Sequence, residues 1–436
     1  MKSGFQSAAN IPELRRRILF TLMMLAVYRV GVQIPTPGIN GEALSSFFTQ
    51  KAGTIFDMFN MFSGGALENF SIFALGIMPY ISASIIFQLL TVVVPQLEAL
   101  SKEGEAGRRK ITQYTRYATV ALSLVQGMFI SIGLESMAAP SGSEMIVISP
   151  GWHFRIMTII TLTSGTAFIM WLGEQMSERG IGNGISLIIF AGIVARMPAA
   201  IVNTGQMIGT DQMPLILVPL LLAMMAGVIA IIIFFETAQR RIPIQYAKRM
   251  VGRKMYGGQQ SHLPLKINMA GVIPPIFASS IMMFPATIGQ FIQVEWVQQA
   301  SAYMQWGSLT HTIFYVGMII FFCFFYTAVT FNPVDVAENL KKNGGFIPGV
   351  RPGKKSAEFI DKIMVRITVI GAIYVSAVCV LPTILISKIN VPFYFGGTAL
   401  LIVVGVAIDT LAQIESHTVM RNYDGFLKTG RIKGRR

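Results

Sequence analysis

The strongest constraint on the fold is a series of ten apolar runs, each about 20 residues long. They cover residues 18–34, 72–94, 117–137, 156–173, 185–202, 214–235, 269–292, 312–331, 367–387 and 396–414. A helix needs about 20 mostly apolar residues to cross the hydrocarbon core of a bilayer. Only 13% of the chain is charged, against about a quarter in soluble domains, which excludes an ordinary soluble enzyme. The sequence therefore predicts an all-α polytopic membrane protein with ten transmembrane helices.

Positive charge is concentrated on one side of these runs. Of the 35 Lys and Arg residues, 30 lie before the first run, after the even-numbered runs or in the C-terminal tail. Lysine and arginine in short loops are retained on the cytoplasmic side of a membrane. We therefore expect both termini to be cytoplasmic, and the net charge of +14 to favour anionic partners.

The runs divide into two sets of five. Five crossings are an odd number, so the two halves would have opposite orientation, an arrangement common in membrane passageways. We expect halves at 1–205 and 206–436 around a central pore. Pro79 interrupts the second run, and Pro274, Pro275 and Pro285 interrupt its counterpart, the seventh. A single proline kink is as often a packing feature as a functional one, but the matched pair favours a pathway between the halves.

A short outer segment, TIFDMFNMFSGGALENFS at 54–71, lies between the first two runs. Ile55, Met58, Phe59 and Phe62 have helical spacing, but the segment is too short to span and breaks at a pair of glycines. The pattern fits a half-helix that dips into a cavity, and it fits a helix on the membrane surface equally well. The absence of Lys and Arg counts against the surface helix.

Groups able to perform catalysis are scarce. Cys323 and Cys379 lie within apolar runs without metal-site spacing, and the four histidines are scattered over different segments. The Gly-rich stretch RGIGNGIS at 179–186 follows no strand, so it is interpreted as a tight loop between spans. The sequence thus predicts no cofactor, no metal and no enzymatic activity. A secondary transporter is the main alternative and an intramembrane protease the next, although both need midplane carboxylates and Asp409 is alone.

Seven segments, in order, resemble one family over Phe5 to beyond residue 414. They are MFNMFSGGAL, FALGIMPYISASIIFQLL, EGEAGRRKITQYTRY, WLGEQMSERGIGNGISLIIFAGI, SHLPLKINMAGVIPPIFASSI, FFCFFYTAVTFNPVDVAENLKKNGGFIPGVRPG and VPFYFGGTALLIVV. The chain thereby resembles the SecY family, the central subunits of bacterial protein-conducting channels. The resemblance implies two inverted halves that open like a clamshell, an outer plug and a lateral gate. It implies passage of unfolded secretory polypeptides and lateral release of transmembrane segments into lipid.

The resemblance also implies roles for individual residues. The pore ring would comprise Ile77, Ile81, Ile185, Ile189, Ile276 and Ile402. The plug, at about 55–70, would include Ile55, Phe56, Met58, Phe59, Phe62, Gly64 and Gly65. The lateral gate would be lined by Ser82, Gln88, Gln126 and Phe284.

Two basic cytoplasmic loops, at about 236–268 and 332–366, match the family's motor- and ribosome-binding loops through Arg253, Lys254 and Arg351. Lys254 stands where the family usually has arginine, and Pro275 where it usually has alanine. The partners implied are the small subunits SecE and SecG, the motor ATPase SecA, the ribosome, secretory preproteins and anionic lipids. The implied location is the bacterial inner membrane.

Overall fold

The structure, a computed structural model, describes residues 11–41, 43–44, 60, 63–136, 146–210, 217–246, 249–251, 254–256, 260–291, 308–389 and 397–429. Within these ranges the helices are α1 (Pro12–Val32), α2 (Met78–Val93), α3 (Pro95–Lys102), α4 (Glu105–Ser136), α5 (Trp152–Arg179), α6 (Gly184–Gly209), α7 (Leu217–Thr237), α8 (Ile273–Phe291), α9 (Leu309–Thr330), α10 (Pro333–Lys342), α11 (Lys354–Ile389) and α12 (Gly397–Thr429). The strands are β1 (Gln239–Tyr246), β2 (Arg249–Val251), β3 (Lys254–Tyr256), β4 (Gln260–Lys266) and β5 (Gly345–Phe346).

The fold class is confirmed, because each of the ten predicted apolar runs coincides with a helix. Among the described residues, seven helices are long and apolar enough to cross a membrane, and α2 with α3 would make an eighth. These two helices meet at Val94 with a bend of 98°. The chain is therefore a polytopic helical membrane protein, and the ten-span arrangement fits its helices.

The second span begins later than the apolar pattern predicts. Residues 72–77 form turns, and α2 starts at Met78, so Pro79 lies in its first turn instead of interrupting it. In the seventh span, Pro274 likewise follows the first residue of α8. Proline suits the first turn of a helix, since the N–H that it lacks would have no intrahelical acceptor there. The hydropathy pattern places the start of both spans too early, because it does not indicate where a helix can begin.

The chain forms two compact units. The first comprises Met1–Met207, Met283–Trp306 and Ile402–Arg436, and the second comprises Ile208–Met282 and Gly307–Leu401. In the first unit, Leu44, Phe70, Ile146 and Leu162 are almost completely buried in one cluster. This cluster fixes the segment before α2 against α5, which burial of its apolar surface stabilises.

The second unit contains a sheet that the sequence did not predict. Strands β4, β1 and β5 form an antiparallel sheet in which Ile242 pairs with Leu263, and β2 and β3 form a separate hairpin. Ile242 and Leu265 are buried against Ile360 and Met364 of α11. Strands β1 to β4 lie in the loop between α7 and α8. The basic composition of this loop hides their alternating apolar residues.

The Gly-rich loop between α5 and α6 is confirmed as a tight connection. The Gly182 N–H donates to Gln413 Oε1 of α12 at 2.8 Å, and the Ile181 N–H donates to Thr21 Oγ1 of α1 at 3.1 Å. Gly182 has φ +86°, a conformation that L side chains rarely adopt. The loop therefore connects α5 to α6 and is hydrogen-bonded to α1 and α12 within the first unit.

Candidate functional site

The six pore-ring isoleucines lie on four helices or helix ends. In the first unit, Ile77 and Ile81 are one helical turn apart at the start of α2, and both are buried. Ile189 of α6 and Ile402 of α12 are buried in the same unit, while Ile185 is partly exposed. Ile276 is buried on α8 in the second unit. Their convergence in one ring stays a prediction.

Only the C-terminal end of the predicted plug belongs to the described part of the chain. Gly64 and Gly65 have φ +68° and +89°, so the backbone turns through two successive left-handed residues. The segment then continues to α2 with Ala66, Leu67 and Phe70 buried. Ile55, Phe56, Met58, Phe59 and Phe62 lie outside the described residues.

Two side chains of α1 bind the backbone at this end of the segment. The Tyr28 hydroxyl donates to the carbonyl of Ser63 at 2.9 Å, and Arg29 Nη1 donates to the carbonyl of Gly64 at 2.8 Å. Tyr28 is fully buried, with its ring stacked on Phe73 at 6.0 Å. Hydrogen bonds from a charged donor are shorter and stronger than neutral ones.

A second set of polar contacts holds the same turn from the other side. Asn60 Nδ2 donates to Glu68 Oε2 at 2.9 Å, and the Glu68 N–H donates to Asn60 Oδ1 at 3.1 Å. Arg196 of α6 lies 3.4 Å from Glu68 Oε2. These reciprocal bonds close the loop from 60 to 68 on itself and tie it to α6.

Sequence reasoning missed this polar network. Arg29 is an ionisable residue inside the first span, but the sequence does not indicate a partner for its side chain. A charge within an apolar span is a default functional candidate, and this signal was available. The roles of Tyr28 and Glu68 carried no comparable signal. Tyr28 depends on a contact between α1 and a loop 35 residues away in sequence, and Glu68 depends on Asn60 and on Arg196 of α6.

The predicted gate residues are distributed over three helices. Ser82 and Gln88 lie on α2 and Gln126 lies on α4, all partly buried, and α2 packs against α4. Gln88 Nε2 is 3.4 Å from Ser84 Oγ, while the buried Gln88 Oε1 has no hydrogen-bond partner among the described atoms. Phe284 belongs to α8, and its side chain is outside the described residues. The gate assignment stays a prediction.

Of the three predicted docking residues, only Arg351 has a described side chain. Arg253 lies outside the described residues, and Lys254 begins β3. Arg351 is exposed between Gly349 at φ +81° and Gly353 at φ +102°. Its own carbonyl accepts a hydrogen bond from Ser356 Oγ at 2.9 Å.

The turn that carries Arg351 is anchored by apolar packing and by backbone hydrogen bonds. Ile347 is buried in the cluster beneath the sheet, and Val350 packs against that cluster. The Val350 N–H donates to the Ile347 carbonyl at 3.1 Å, and the Ala357 N–H donates to the Gly353 carbonyl at 3.1 Å. The backbone is thus fixed on both sides of one exposed guanidinium, a group suited to carboxylates and phosphates.

Metal-ligating residues do not cluster in the described part of the chain. No group of three or more His, Cys, Asp or Glu side chains there could hold a metal ion. Cys323 and Cys379 are both free and buried.

Comparison with known proteins places the chain among protein translocase subunits. A family model described as SecY matches residues 71–411. The chain is 51% identical over 435 residues to the protein translocase subunit SecY of Escherichia coli strain K12, covering 99% of this chain and 98% of that protein. The subunit of the same name from Pseudomonas aeruginosa is 51% identical over 440 residues, with the same coverage.

Solved structures share the fold. A structure described as a protein-conducting channel has a TM-score of 0.65 at 16% identity and covers 96% of this chain and 95% of its own. Sec61 from a canine ribosome–channel complex of the endoplasmic reticulum has a TM-score of 0.61 at 15% identity, with the same coverage.

Proposed function

The chain belongs to the SecY family, and from that premise we propose that it is the pore subunit of a bacterial translocase. It passes unfolded secretory polypeptides across the plasma membrane and releases transmembrane segments sideways into lipid. The observation that carries this conclusion is 51% identity over nearly the whole length of a named translocase subunit. The apolar helices agree, because they make the chain a multi-pass membrane protein.

A dry collar would seal the resting channel. Ile77, Ile81 and Ile189 present buried apolar side chains in the first unit, and Ile276 does so on α8 in the second. Apolar side chains at a constriction exclude ions by dewetting, yet they can yield to a passing chain. The segment ending at Gly64 and Gly65 serves as the plug that backs this collar. We propose halves at 1–205 and 206–436 on either side of it.

The sideways exit would open between helices of the predicted gate. Ser82 and Gln88 of α2, Gln126 of α4 and Phe284 of α8 would line it. Polar side chains among apolar helices allow the interface to part without exposing a continuous apolar surface to water. A signal sequence would leave through this gate into the bilayer.

Energy would come from partners, and the chain itself would not act as an enzyme. The SecA motor or the ribosome would dock on the loops at 236–268 and 332–366 through Arg253, Lys254 and Arg351. SecE and SecG would complete the complex, and anionic lipids would contact the basic loops. Both termini would lie in the cytoplasm at the inner membrane, as the charge distribution favours.

The test is ATP-driven export into vesicles that contain the chain with its small subunits and the motor. We expect Arg351→Glu to assemble normally and to reduce export by at least about tenfold, because a reversed charge on a fixed turn repels acidic partners. The matched control is Lys355→Glu, the same charge change four residues along on the exposed start of α11, and it should export nearly normally.

Two outcomes would contradict the proposal. Normal export by Arg351→Glu would remove the docking role from that residue. Failure of the wild-type chain to export any preprotein, combined with ion-gradient-driven uptake of a small solute, would support a secondary transporter instead.

A further inference from the structure

Arg29 places a charge in the last turn of an apolar helix, where an ionisable residue is a candidate for function. Its guanidinium binds the carbonyl of Gly64, and the neighbouring Tyr28 hydroxyl binds the carbonyl of Ser63. Two successive residues of α1 thus hold two successive carbonyls of one turn. A residue retained only for topology would need no such backbone acceptor.

Helix α6 also approaches Gly64 closely, on the side where the two α1 donors lie. A Cβ atom added to Gly64 would lie 2.7 Å from the Cα of Gly192, a separation that real Cβ atoms essentially never show. The same atom would lie 3.1 Å from the Tyr28 hydroxyl oxygen and 3.2 Å from Arg29 Nη1. The backbone of α6 and two donors of α1 therefore surround the position that a Gly64 side chain would take and leave no space for one.

The backbone that follows this turn is strained at Phe70. Phe70 is fully buried at φ +40°, a region that bulky residues rarely occupy. The Phe70 carbonyl accepts from the Thr36 N–H at 2.9 Å, and the Ile72 N–H donates to the Ile34 carbonyl at 3.0 Å. The residues after the turn are thus fixed beside the end of α1. We call the left-handed pair Gly64 and Gly65 of this turn the pivot.

We infer that Tyr28 and Arg29 form a latch on this pivot, which we call the α1 latch, and that it sets how often the resting channel opens. The inference rests on the proposed function, because it assigns the segment before Gly64 to the plug. When the plug leaves, the pivot moves away from α6, and the Gly64 carbonyl must release the guanidinium. The α1 latch therefore stabilises the closed channel and not the open one. Tyr28 and Arg29 act by positioning the backbone of the pivot.

The first experiment measures the anion leak of reconstituted resting channels and the export of a preprotein with a defective signal sequence. Arg29→Gln should raise both by about tenfold, since the loss of one charge-assisted hydrogen bond is of that order. Arg29→Lys keeps the charge but loses the planar fork, so it should give an intermediate value. Tyr28→Phe removes one hydroxyl and should raise both readouts about threefold.

The matched control is Arg155→Gln. Arg155 is another arginine of the first unit, at the start of α5, and it bonds Glu135 instead of the pivot. Its replacement should leave the leak at the wild-type level. An equal leak in Arg155→Gln would show that loss of any such arginine loosens the unit, and it would overturn the α1 latch.

The second experiment tests the contact between the pivot and α6. Gly64→Ala cannot keep the close contact with Gly192, so it should leak as Arg29→Gln does, and the double variant should leak no more than either single one. Gly65→Ala shares the positive φ but meets no atom within 4 Å, so its leak should be smaller. Equal leaks for the two alanine variants would attribute the effect to backbone strain and reject the contact.

The readouts separate the inference from its premise. Export of a preprotein with a normal signal sequence tests the channel itself. If the wild-type chain exports it while Arg29→Gln and Tyr28→Phe neither leak nor accept defective signals, the α1 latch alone is wrong. If the wild type exports nothing, the proposed function is wrong.

Discussion

Helices α2 and α8 begin with the same local arrangement. Each starts two residues after a left-handed glycine and carries proline as its second residue: Gly76 at φ +56° precedes Pro79, and Gly271 at φ +62° precedes Pro274. Glycine permits the reversal of the chain, and proline fixes φ for the first helical turn. Similar tetrapeptides, GIMP and GVIP, thus produce the same type of helix start in two units.

The starts of α2 and α8 differ in what holds them. A Cβ atom on Gly76 would lie 3.4 and 3.5 Å from Ser63, at the pivot of the proposed plug, whereas one on Gly271 would meet nothing within 4 Å. The start of α8 is held by Asn268, whose Nδ2 donates to Glu236 Oε1 at 2.6 Å and to the Gly271 carbonyl at 3.0 Å. Local sequence sets the shape of a helix start, and distant contacts decide what its movement affects.

The largest expected effect is on the start of α8. Asn268→Ala removes both of these bonds, one of them to a carboxylate that is only 9% exposed. We expect a loss of about 3 kcal/mol in the free energy of unfolding, because bonds to charged groups contribute most. Thermal unfolding of the purified complex in detergent would measure it. Asn343→Ala, at an exposed helix end, is the control, and an equal loss there would contradict the assignment.

A middle effect is expected at the start of α2. Gly76→Ala must adopt a left-handed conformation, so we expect up to about 2 kcal/mol of destabilisation, and its methyl group would touch Ser63 at van der Waals distance. Because Ser63 adjoins the pivot, the variant should also raise the anion leak. A destabilised channel without added leak would separate the start of α2 from the plug.

The smallest effect is expected for Gly271→Ala. It has the same backbone strain but open space, so about 1 kcal/mol of destabilisation and no added leak should follow. The difference between the two alanine variants isolates the contact with Ser63. If Gly271→Ala leaks as much as Gly76→Ala, the contrast between the two helix starts fails.

The sequence predicted the helices well because membrane spans depend on length and hydropathy, which are local quantities. It did not predict the sheet, since β1 and β4 lie in a loop of mixed composition and pair across the residues between them. It placed the glycine break of the outer segment at the turn that the structure describes, at Gly64 and Gly65. The donors that bind this turn come from α1, and single-sequence patterns do not encode which helix lies beside a given loop.

The pore, gate and docking residues depend on the family resemblance more than on physical pattern. Apolar isoleucines such as Ile81 and Ile402 resemble any other buried residues of a membrane helix, so hydropathy alone cannot select them. Arg351 is different, because glycines and prolines flank it in FIPGVRPG and favour a stiff turn, and the backbone from Ile347 to Ala357 is anchored accordingly.

The Gly-rich loop between α5 and α6 has a consequence for biosynthesis. The acceptor of the Gly182 N–H, Gln413, follows it by 231 residues, and Ile414 packs beside Ile181 and Leu14. A ribosome makes all of α1, α5 and α6 long before it makes α12. The first unit therefore cannot complete these contacts until nearly the whole chain has been synthesised, and chains that terminate before α12 lack them.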